Sequence, residues 1–112
     1  MTTFKYAQLP VTEVSPDMRR RLVHTDHIML VIVDLDGPST AVPLHQHPHE
    51  QISYIVEGEV NFVIGDGAER AVDRVGPGDA VVVPPDAPHT VEVLTESARV
   101  IDCFYPIRED FL

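Results

Sequence analysis

Apolar positions along the chain, mostly valine and isoleucine, fall in runs of five to eight residues, and no segment keeps a helical period for two turns. The runs predict strands at 18–24, 28–35, 40–47, 51–56, 59–64, 69–75, 80–84, 89–94 and 98–105. Between them stand "DGPS", "EGE", "GDG", "GPGD", "PPDAP" and "TES", clusters whose Gly, Pro, Asp and Ser residues favour tight turns. So many short strands at close spacing predict an all-β domain, either a β-sandwich or a closed jelly-roll barrel. The whole chain, 1–112, is expected to form one domain without a linker or repeat.

Within that frame the stretch "PLHQHPHEQISYIVEGEV", residues 43–60, stands apart. Alternation on a strand puts His45 and His47 on one face and Gln46 on the other. Two imidazoles on a shared face are the minimum start of a metal site. Pro48 then interrupts the strand, so either Glu50 or Gln51 turns inward after it. Farther on, His89 opens "HTVEVL" on the face of Val91 and Val93, with Glu92 outside. A histidine on an apolar inner face needs a partner. On the last strand Asp102 and Phe104 alternate with Cys103 and share a face.

Composition narrows the classes of function. A chain of 112 residues would bury about two-thirds of its unfolded surface, enough for a core without staples. The single cysteine, Cys103, allows no internal disulfide and reads as a buried apolar residue of a protein in a reducing compartment. The first residues lack a basic start followed by an apolar run, and "IMLVIV" is too short to span a bilayer, so a cytoplasmic protein is expected. The net charge of −10 repels nucleic acid and anionic membranes. The run Arg19, Arg20, Arg21 suggests an anion site, but alternation splits it between two faces, and surface ion pairing is the expectation. His24 and His27 receive no role, and His49 is placed outside the ligands or behind them.

Together these residues resemble the cupin family. Its first motif is matched by Gly37, His45, His47, Gln51 and Gly58, and its second by Pro77, Gly78, Asp79, Pro84 and His89, all within residues 37–95. The resemblance implies a double-stranded β-helix, the jelly-roll barrel of cupins, holding one divalent transition metal on His45, His47, Gln51 and His89, in a homodimer. Glutamate is the usual fourth ligand, so Gln51 departs from the pattern. That glutamine and the terminal "DCFYPIREDFL" narrow the resemblance to the small KdgF cupins of pectin degradation, which linearise unsaturated uronates. In those cupins an Asp, a Phe and an Arg near the chain end act beside the metal, and Asp102, Phe104 and Arg108 fall on those positions within residues 100–112.

The implied activity is ring opening of 4,5-unsaturated monouronates, from pectin or alginate, to 5-keto-4-deoxyuronate, with Asp102 as base and with Phe104 and Arg108 at the substrate. Electrostatics agrees with that assignment. Three neutral imidazoles and an amide leave a divalent ion uncompensated, which favours an anionic sugar acid. Arg108 could grip its carboxylate with two hydrogen bonds, or could instead pair with Glu109 or Asp110. Nickel, zinc, manganese, cobalt and iron all suit such ligands. A small cupin dioxygenase using a redox metal and a non-catalytic small-molecule-binding cupin are the competing classes.

Overall fold

The computed structural model describes residues 1–39 and 42–112. In chain order its strands are β1 (Thr12–Ser15), β2 (Met18–His24), β3 (Met29–Asp36), β4 (Glu50–Glu57), β5 (Val60–Ile64), β6 (Ala71–Val75), β7 (Ala80–Val83), β8 (His89–Val93) and β9 (Ser97–Tyr105). The alternation in the sequence is what the strands use. Along β3, Met29, Val31, Val33 and Leu35 are buried while the residues between them are half-buried. Antiparallel pairing builds a six-stranded sheet in the order β1-β2-β3-β9-β4-β7 and a three-stranded sheet β6-β5-β8. One core cluster joins the two sheets, with Ile55, Val100 and Leu35 from the larger and Val60 and Val93 from the smaller. This is the all-β jelly roll expected of a cupin. Helical structure among the described residues is confined to three short 3-10 turns.

The inner face divides lengthwise into an apolar part and a polar part. On β4 the inward residues run Gln51, Ser53, Ile55, and on β9 they run Ala98, Val100, Asp102, Phe104. Register sets Ile55 beside Val100 and Ser53 beside Asp102. Hydrophobic packing therefore stabilises one end of the barrel, and hydrogen-bonding groups line the other. Two glycines of the first motif are there for space. A Cβ on Gly37 would meet the Thr95 carbonyl oxygen at 2.3 Å, and one on Gly58 would meet that of Ser97 at 2.2 Å. Gly58 also has φ +79°, so the β4–β5 turn needs a residue without a side chain.

Eight of the nine expected strands form, with ends shifted by up to two residues. The expected strand 40–47 does not form: residues 42–47 are irregular apart from a bridge at His45, and Thr40 and Ala41 lie outside the described residues. The segment still follows β8, with Val42 N–H bonded to Val91 O and His45 N–H to His89 O. Three steps along one chain thus match two along the other, and the extra residue accommodates Pro43, which has no N–H to pair. β1 was not expected because all of its residues are exposed and carry no alternation. Cys103 lies on the outer face and is exposed, contrary to its expected burial, because it sits out of phase with Asp102 and Phe104.

Candidate active site

His45 and His89 are held together by backbone. They form an isolated antiparallel bridge, each N–H bonded to the other's carbonyl at 3.1 and 2.8 Å. Their rings lie tilted at 59° with centroids 4.1 Å apart, and the His47 ring lies 4.9 Å from that of His89. His45 Nδ1 contacts the Pro43 carbonyl at 2.8 Å, and His89 Nδ1 contacts that of Ala87 at 2.9 Å. A carbonyl accepts only from N–H, so both rings carry a proton on Nδ1 and leave Nε2 as the atom that could bind an ion. Nε2 of His89 is buried and without a partner among the described residues. One potential ligand atom from each of the three rings falls within 4.8 Å of the others.

Gln51, 5% exposed, completes the group, while Glu50 faces solvent; the choice left open by Pro48 goes to the glutamine. Its Oε1 lies 3.0 Å from His47 Nε2. Two ligands about 2.1 Å from an ion and at right angles to it stand roughly 3.0 Å apart, so this separation suits a shared ion. The Gln51 amide nitrogen donates to Ser53 Oγ at 2.9 Å and makes a long contact of 3.5 Å to Asp102 Oδ1. Ser53, fully buried, donates in turn to Asp102 Oδ1 at 2.6 Å. The donor set fits a divalent transition ion: three imidazoles and an amide oxygen converge, with each remaining polar atom of His45, His89 and Gln51 held by a neighbour.

Burial sets the protonation of these groups. It pushes His89 down to about 4, against a raising bond to Ala87 O, and lowers His47 as well, aided by Arg108. Both rings are therefore neutral and able to bind metal at neutral pH. Asp102 is pushed up to about 6 by burial, against the pull of Ser53, His45, Arg108 and Gln51. It is ionised at neutral pH and readily protonated, which suits a proton carrier.

A cavity of about 230 Å³ opens beside this group, lined by His45, Gln51, His89, Asp102, Phe104 and Arg108. Phe104 is 4% exposed, belongs to the core cluster and meets the His47 ring edge-on at 5.5 Å. Arg108 is 9% exposed and lies over the rings of Phe104 and Phe111. Its Nε and Nη2 hold Asp110 at 3.0 and 2.8 Å. The two-bonded grip expected of Arg108 is thus made, and a carboxylate of the chain fills it.

A family model for the cupin domain matches residues 31–104. The chain belongs to the cupin family. This cupin is 32% identical over 107 residues to "Pectin degradation protein KdgF" of Dickeya dadantii, covering 94% of this chain and 93% of that one. Among solved structures it matches KdgF from Halomonas sp. with a TM-score of 0.89 at 32% identity, over 100% and 99% of the two chains. An RmlC-like cupin from Shewanella frigidimarina follows with 0.86 at 27% identity, over 97% and 94%.

Six of the seven expected site residues line one cavity, and the seventh, His47, joins them through His45, His89 and Gln51. His24 and His27 are exposed, and His49 packs edge-on against the His47 ring at 5.4 Å. Three lining or linking residues were not expected there. Ser53 follows Gln51 by two and so shares its face, a signal readable from alternation. Phe111 belongs to a terminal 3-10 turn with no period to read. Arg20 was assigned to surface pairing; its neighbours Arg19 and Arg21 do pair with Asp36 and Asp34, but Arg20 enters the cavity.

Proposed function

We propose that this cupin is a metal-dependent enzyme that opens the ring of 4,5-unsaturated monouronates released from pectin or alginate, giving 5-keto-4-deoxyuronate. The observation that carries the reading is the chain of bonds from Gln51 through Ser53 to Asp102, which sets a carboxylate of raised pKa beside a converging three-histidine group. Likeness to the pectin-degradation protein over nearly the whole chain supports the choice of substrate. His45, His47, Gln51 and His89 would hold one divalent ion. When bound, it supplies Lewis acidity that lowers the energy of negative charge on a substrate oxygen.

The residues of the chain then divide the work. Asp102 takes the proton of the anomeric hydroxyl, C1–O1 becomes a carbonyl, and the C1–O5 bond breaks. The electron pair leaves on O5 as the enolate of the C4–C5 double bond. A proton returns to C4, so substrate and product are isomers and no oxidant is consumed. Phe104 packs against the sugar and keeps water from the carboxylate, while Arg108 adds positive charge that draws a sugar acid into a protein of net charge −10. Metal-loaded protein should speed the loss of the substrate's ultraviolet absorbance. No acceleration over the spontaneous rate with nickel, zinc, manganese, cobalt or iron would reject the reading. A homodimer is also part of the proposal, formed on the outer face of the larger sheet, where Ile52, Tyr54 and Val82 are exposed.

A further inference from the structure

The second arginine of the cavity holds no carboxylate among the described residues. On β2, Met18 and Leu22 pack against the core, and Arg20 stands between them on the same face. Its guanidinium lies over the Phe111 ring, 3.8 Å from the centroid, and Arg108 approaches the same ring at 4.2 Å. Among the described residues Arg20 makes no ion pair, whereas Arg19, Arg21, Arg74, Arg99 and Arg108 each hold a carboxylate. Its Nε is buried with no hydrogen-bond partner among the described residues. A cation on an inward face without a counter-ion is costly, and an unpaired buried N–H adds to the cost. Asp110, the acid whose charge acts on it, is already clamped through both oxygens by Arg108.

We propose that Arg20 is the specificity residue of this cavity: its free guanidinium edge takes the carboxylate of a small organic acid in two parallel hydrogen bonds, while the reacting end of that acid faces His45, Gln51, His89 and Asp102. Arg108, whose Nε–Nη2 side is filled by Asp110, adds charge and whatever N–H groups of its Nη atoms remain. The identity of that acid as an unsaturated uronate rests on the proposed function; the preference for an acid over a neutral sugar does not. Lysine would be a poor substitute, because a point charge on a flexible stem cannot offer a planar fork.

The test is calorimetric titration of the metal-loaded parent, Arg20→Met, Arg20→Lys and Arg19→Met with D-galacturonate and with neutral D-galactose, alongside metal content and melting temperature. The parent should prefer the acid. Arg20→Met should weaken galacturonate binding by roughly 10- to 100-fold with galactose binding unchanged, the loss of a charged hydrogen-bonded pair. Arg20→Lys should recover only part, and Arg19→Met should match the parent. With the unsaturated monouronate, Arg20→Met should raise KM far more than it lowers kcat. An unaltered acid preference in folded, metal-bearing Arg20→Met, or no preference in the parent, overturns the proposal; if that variant does not fold, the same criterion applies to Arg20→Lys. A parent that binds the acid through Arg20 yet opens no ring would sink the proposed function and leave this assignment standing.

Discussion

Asp102 is where the proposed function and stability oppose each other. Its carboxyl is raised to about 6 from an ordinary 3.8, so above that pH the folded protein carries a buried charge that the unfolded chain would hold in water. A raised acid costs stability once pH exceeds the folded value, and the cost fades as pH falls through the window between 6 and 3.8. Asp102→Asn should therefore stabilise the metal-free protein by about 3 kcal/mol at pH 8 and by roughly half as much at pH 5, read from denaturant midpoints. The same variant should lose about 10²-fold or more in turnover with its metal retained. His89→Ala removes a buried Nε2 and should lower metal occupancy sharply while the strands persist in circular dichroism. Gln51→Glu adds a full charge to the ligand set. It should bind metal more tightly and work at least about tenfold more slowly, roughly 1.4 kcal/mol of barrier. Equal activity with tighter binding would make the neutrality of Gln51 incidental. Alternation sufficed to pair Asp102 with Phe104, yet it could not choose between Glu50 and Gln51, because the turn at Pro48 resets the phase.

Strands carry the site, and their legibility followed their burial. β3 and β9 are buried on one face along their length and were readable as alternation, whereas β1 is exposed throughout and gave no pattern. His45 and His47 do converge, though not as members of a strand: a backbone bridge to His89 and the bulge at Pro43 aim them. The two motifs meet at that bridge, a contact between distant parts of the chain that no local period encodes. Arg20 was misjudged for a related reason. Alternation correctly separated it from Arg19 and Arg21, but what fills the inner face opposite it, Arg108 and Phe111, comes from the chain end. The β4–β5 hairpin offers a test at this scale. Gly58→Ala would force a side chain at φ +79° into the Ser97 carbonyl and should destabilise by about 2 kcal/mol or more, with the shift read from chemical unfolding.

At the scale of the whole molecule, a protein of net charge −10 surrounds a cavity lined by two arginines beside three histidines able to hold a cation. Long-range repulsion of anions and local attraction act together, so association of a sugar acid should depend only modestly on salt and strongly on the cavity residues. The outer face of the larger sheet bears Ile52, Tyr54, Val82 and Tyr105, each at least 46% exposed. If a second copy covers it, Ile52→Asp should turn a dimer into a monomer in sedimentation without unfolding the barrel, and an unchanged mass would place the interface elsewhere. Among the described residues no helix is long and apolar enough to cross a membrane. The central claim is ring opening at this site, and the most direct measurement is a proton magnetic resonance time course of metal-loaded protein with unsaturated monouronate in deuterated buffer. The account predicts accelerated loss of the vinylic C4 proton signal, growth of the linear 5-keto-4-deoxyuronate with solvent deuterium at C4, and no oxygen consumed. Decay at the spontaneous rate, or a product that requires dioxygen, would contradict it.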